Sequence, residues 1–134
     1  MFLFICLSLA IHAEELTLEL KNVNSDKGEM LIAIHNRAET FLKNEQKPFR
    51  QSINKLPIQN NQIIFEVPKG EYSITLFHDL NSNQKLDKNF LGIPTEPFGF
   101  SKNPRLFFGP PSYEESLIPI HQNKKVVIEL KSIL

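Results

Sequence analysis

The chain has 134 residues, with fifteen Lys plus Arg against fifteen Asp plus Glu and a formal net charge of zero. No basic run exceeds Lys124-Lys125, so there is no electrostatic footprint for nucleic acid or for an anionic membrane surface. The single cysteine, Cys6, excludes a disulfide framework within the chain.

Residues 1–13, MFLFICLSLAIHA, are an apolar run ending in Ala13 and followed at once by Glu14 and Glu15. A membrane-spanning helix needs about 20 apolar residues, so this run is too short, and it has the h-region length of a secretory signal. Bulky Phe4 and Ile5 ahead of Cys6 argue against lipidation there. The expectation is a signal peptide over 1–13 and a single domain over 14–134. The mature protein would be secreted or periplasmic, free of thiols, and without a transmembrane segment.

Strand signals dominate the domain. ELTLELKNV (15–23) alternates Leu16, Leu18 and Leu20 with polar neighbours, and EMLIAIHN (29–36) resumes the pattern with Met30, Ile32 and Ile34. Period two is what a half-buried strand requires, and the NSDKG cluster between them reads as the turn of a hairpin over 15–36. Residues 37–47 are the one helical turn, ended by Pro48. FRQSI (49–53), QIIFEV (62–67), Tyr72 to His78 and KKVVIELKSI (124–133) are further strands, while SLIPI (116–120) carries Pro119 and belongs at an edge. About seven short strands with tight turns predict an all-β protein, a single prealbumin- or immunoglobulin-like sandwich.

Residues 79–115 break the pattern. Connections beyond about 12–15 residues are usually functional or disordered. Disorder fits badly, because residues 90–108 hold five of the eleven phenylalanines and residues 92–111 hold five of the nine prolines. Aromatics give the segment something to bury, and proline fixes its path. One long ordered loop is expected. Its aromatics Phe98, Phe100, Phe107, Phe108 and Tyr113 form either a binding surface for a protein or glycan, or the loop's own core.

The loop opens on HDLNSNQKLDKN (78–89), with an acid or amide at alternate positions. A chain curling around Ca²⁺ turns alternate oxygens inward, and the ion takes six to eight of them. Asp79, Asn81 and Asn83 would offer side chains, Lys85 its backbone carbonyl, and Asp87 the ninth position, with Glu96 as a distal ligand. Gln84 stands where a helix-flanked calcium loop has Gly, and Phe90 where it has a bidentate Glu. The alternative is a polar loop whose Asn and Asp oxygens bind their own backbone. No HExxH zinc spacing and no GxSxG elbow occurs.

The stretch FHDLNSNQKLDKNFLGIPTEPFGFSKNPRLFFGPPSYEES (77–116) resembles the bacterial domain-of-unknown-function family 2141. The resemblance rests on Asp79, Asn81, Asn83, Leu86, Asp87, Asn89, Gly92, Pro94, Glu96, Gly99, Phe100, Ser101, Pro111 and Ser112. It implies a small exported β-sandwich and no particular reaction. The expectation is therefore an exported non-catalytic binding or structural module, Ca²⁺-stabilised through its loop. The competing expectation is a hydrolase or lyase using Glu96 with His78 or Asp79 in a cleft beneath the loop.

Overall fold

The computed structural model describes residues 13–43 and 46–133. The leader expected over 1–13 lies, apart from Ala13, outside the described residues. Eight strands follow in chain order: β1 Ala13–Lys21, β2 Glu29–His35, β3 Arg50–Lys55, β4 Gln62–Pro68, β5 Gly70–Asp79, β6 Phe98–Phe100, β7 Ile118–Ile120 and β8 Lys124–Glu129. The expected helical turn is a 3₁₀ turn over Ala38–Thr40. No helix among the described residues is long and apolar enough to cross a membrane.

The strands form two sheets, ordered β4-β1-β8 and β3-β2-β5-β6, with β7 also on β5. Leu16, Leu18, Leu20, Val126 and Ile128 of the first sheet share one buried core with Met30, Ile32, Ile34, Ile74 and Leu76 of the second. The alternation in the strands turns an apolar face of each sheet inward, and the two faces meet. The fold is thus an all-β sandwich.

The hairpin expected over 15–36 does not form. β1 pairs antiparallel with β4 and parallel with β8, whereas β2 pairs with β3 and β5. Residues 22–28 instead carry the chain from one sheet to the other. Two consecutive alternating strands can lie edge to edge or face to face, and periodicity alone does not distinguish the two. β8 pairs with β1, at the opposite end of the chain.

A second crossing is tighter. β4 and β5 belong to different sheets with only Lys69 between them. The Tyr72 hydroxyl donates to the Pro68 carbonyl at 2.6 Å, reaching back over the bend as tyrosine does at the corners of other sandwiches. Burial raises the phenol pKa above its ordinary value.

The free edge of β5 is shared by two short strands, β7 at Gly70–Tyr72 and β6 at Thr75–Phe77. β6 is the strand that the sequence places inside a loop, since three residues are too few to show a period. Gly99 lets it lie flat: a Cβ there would be 2.7 Å from Ile128 Cγ2 and 3.2 Å from the Glu129 carbonyl. Phe98 and Phe100, opposite Phe77 and Thr75, point away from the main core. They form a second cluster with Phe41, against which Phe77, Leu106 and Tyr113 pack. Next to β6, Asn103 pairs with the outer edge of β8: its Nδ2 donates to the Val127 carbonyl at 3.0 Å and its Oδ1 accepts the Glu129 N–H at 2.8 Å.

Candidate functional site: the loop at the end of β5

β5 delivers Asp79 into the loop fully buried. Its Oδ1 accepts the Asn83 N–H at 3.2 Å and its Oδ2 the Gln84 N–H at 2.6 Å. Asn81 Oδ1 accepts the Asn83 N–H at 3.3 Å, and Asn83 Oδ1 the Lys85 N–H at 3.0 Å. Each alternate oxygen therefore folds the next turn of chain back on itself, which is what short Asn and Asp side chains do outside helices and sheets. Ser82 and Gln84 adopt left-handed φ values of 55° and 62°. Gln84 thus takes the backbone shape that glycine takes most easily, at a cost of about 1 kcal/mol.

Asp87 closes the turn. Its Oδ2 accepts from Asn81 Nδ2 at 2.6 Å and its Oδ1 from Asn83 Nδ2 at 2.8 Å. Asn81, Asn83 and Asp87 therefore meet at the exposed rim, while Asp79 sits beneath them at the root. Lys85 contributes its N–H to this network. Beyond Asp87 the device repeats, with Asn89 Oδ1 accepting the N–H groups of Leu91 and Ile93 at 2.9 and 3.1 Å.

Glu96 joins the two arms. It is buried, its Oε2 accepts the Leu80 N–H at 2.7 Å, and its Oε1 the Asp87 N–H at 2.9 Å. Both oxygens are engaged by backbone. His78 is also buried, and its Nε2–H donates to the Lys27 carbonyl at 2.6 Å. Shallow pockets of about 170 and 230 Å³ lie beside Gln51, Ile53 and Gln84 and beside Arg105, Phe107 and Phe108, and neither is lined by Glu96, His78 or Asp79. Glu96, His78 and Asp79 thus each engage backbone groups.

The root is buttressed by residues that sequence reasoning missed. Gly28, at φ 75°, packs so closely that a Cβ would stand 2.0 Å from the Asp79 carbonyl oxygen. Glu29 lies directly across from Asp79 in the β2–β5 register, on the same face of the sheet. Its Oε2 is buried without a hydrogen-bond partner. The ion pairs of the described residues lie elsewhere, joining Glu19 to Lys21 and Lys125 and Glu14 to Lys69. Among the described residues, no group of three or more His, Cys, Asp or Glu side chains is placed to hold a metal ion. The oxygens on offer at the rim are mostly amide and carbonyl, each keeping a second lone pair.

The five loop aromatics do not form one surface. Phe98 and Phe100 are buried in the second cluster, and the half-buried Tyr113 ring packs 6.0 Å from Phe41. Only Phe107 and Phe108 are open, at 77 % and 105 % exposure. The loop core recruits Phe41 from outside the loop, a partner with no signal in the local sequence.

Fold and loop together define a small sandwich in which an extended connection is held by its own side chains. A family model described as an uncharacterized protein conserved in bacteria (DUF2141) matches residues 18–129, and the chain belongs to that family. No curated protein and no solved structure matches it.

Proposed function

We propose that the chain is an exported, non-catalytic binding or structural module, secreted or periplasmic, whose Asp79–Asp87 loop is stabilised by Ca²⁺. The observation that carries the cation is the charge at the loop root. Asp79 is fully buried, no Lys or Arg among the described residues pairs with it, and Glu29 stands opposite with a buried, unbonded Oε2. Like charges directly across a strand pair destabilise it, and a divalent cation would offset them while Asn81, Asn83, Asp87 and the Lys85 carbonyl supply neutral and acidic oxygens. The non-catalytic part is supported by the engagement of Glu96 and His78 with backbone groups. The partner, a protein or a glycan, would meet the exposed Phe107 and Phe108.

Melting the purified protein in 10 mM Ca²⁺ and in chelator tests the cation. For a Kd of order 10⁻³ M, in the weak extracellular range, stabilisation is about 1.4 kcal/mol, a rise of roughly 4–6 °C in Tm. Asp79→Asn and Asp87→Asn should abolish the rise. Equal Tm values in Ca²⁺ and chelator for the parent chain would remove Ca²⁺ and leave a loop held by hydrogen bonds alone.

A further inference from the structure

The second cluster contains a buried histidine that the loop does not use. His35, on the outer face of β2, is buried, and its ring bridges two hydroxyls. Nδ1 is 2.9 Å from Thr40 Oγ1 and Nε2 is 3.1 Å from Thr75 Oγ1. The Thr40 hydroxyl donates to the Arg37 carbonyl at 3.3 Å, which leaves its oxygen free to accept. The proton order follows: Nδ1–H donates to Thr40, and Nε2 accepts from Thr75. In this order the ring is neutral. The Phe41 ring packs edge-on against His35 at 5.5 Å and also meets Phe100 at 6.3 Å and Tyr113 at 6.0 Å. His35 and Thr40 thus anchor the residue that covers the β6 aromatics.

We infer that His35 is a proton-operated clasp: protonation of its ring releases Thr40 and Phe41 from the five-stranded sheet and uncovers Phe100 and Tyr113, while the main core between the sheets stays folded. Doubly protonated, the ring donates from both nitrogens, so the Thr75 hydroxyl must turn to accept, and a full charge is placed among aromatic rings with no acid among its hydrogen-bond partners in the described residues. Among the described residues, the charged and titratable groups near the cluster include Arg37 just before the 3₁₀ turn and Glu39 within it, Glu71 from β5, and Tyr113 and Glu114 from the segment before β7. Glu39, Glu71 and Glu114 act on the Tyr113 phenol, whose pKa burial and these acids raise. Burial alone lowers the His35 pKa to about 4.

The sign of the pH dependence follows from this. Above the ordinary histidine pKa of about 6.5, the clasped and released forms are both neutral at His35, and protonation favours neither. Between about 6.5 and 4 the released form takes up the proton first, so release becomes about tenfold more favourable per pH unit, roughly 300-fold in all. Below about 4 both forms are charged and the effect levels off.

Hydrogen exchange on the intact protein tests the clasp. It is read at the Phe41 amide, which bonds to the Ala38 carbonyl, corrected for intrinsic rate and referenced to β1 amides. Protection at Phe41 should fall about tenfold per pH unit below pH 6.5 while β1 holds. His35→Gln, whose amide does not take a proton, should give a flat profile. The same loss in His35→Gln would assign the effect to carboxylates and overturn the inference, as would constant protection in the parent chain. If His35→Gln does not fold, the NMR titration of the His35 ring in the parent decides: a midpoint well below 6.5 supports the clasp, and an ordinary midpoint rejects it.

Discussion

The sandwich and the 79–96 loop are held by opposite means. Between the sheets, cohesion comes from apolar faces such as Leu18, Ile32, Ile74 and Ile128, all essentially excluded from water. In the loop the apolar residues are on the outside, Phe90 at 96 % and Leu91 at 69 % exposure. There the chain is shaped by Asp79, Asn81, Asn83, Asp87, Asn89 and Glu96 accepting or exchanging hydrogen bonds. Burial of apolar area is non-directional and tolerates approximate shapes. Hydrogen bonds to buried carboxylates are directional, and removing the acceptor strands each donor. The loop should therefore be the more sensitive to isosteric changes and the less sensitive to loss of volume.

The join between the two regions should show the largest effect. Gly28→Ala forces a methyl group onto the Asp79 carbonyl oxygen, 2.0 Å away, at a left-handed backbone position. It should cost more than about 3 kcal/mol and lower the urea midpoint of both regions together. Ile74→Ala, in the main core, should cost about 3 kcal/mol through the cavity it leaves, while chemical shifts of the 80–95 amides stay close to the parent. Glu96→Ala should reverse that pattern. It strands the Leu80 and Asp87 N–H groups for about 2 kcal/mol and speeds exchange of those amides, with the far-UV spectrum unchanged. Smallest should be Phe108→Ser, within about 0.5 kcal/mol by urea denaturation, because the ring touches water on all sides. A loss above 2 kcal/mol there would mean that Phe108 packs against something, and the contrast between the regions would have to be redrawn.

Both regions were partly legible in the sequence, for different reasons. The sandwich shows itself through strict alternation at Leu16, Leu18 and Leu20 and again at Met30, Ile32 and Ile34, since period two has one structural meaning for a half-buried strand. Which strand neighbours which was not legible, and β1 and β2 face each other where a hairpin was expected. The loop shows itself through the alternating Asp and Asn positions, because each oxygen acts within a few residues of its own backbone. What lay hidden was every partner distant in sequence: Gly28 and Glu29 under Asp79, and Phe41 over Phe98 and Phe100. Phe98 and Phe100 read equally well as platform or core, since phenylalanine has no polar handle to betray its side of a sheet.

The three-stranded sheet ends in β8, and an open strand edge is a template on which another chain can assemble. The Asn103 side chain fills part of that template, its amide standing where the peptide group of a ninth strand would come to rest. One residue from the loop therefore acts as a stopper on the sheet. Its loss would be read less in the melting of the single molecule than in the company the molecule keeps when concentrated.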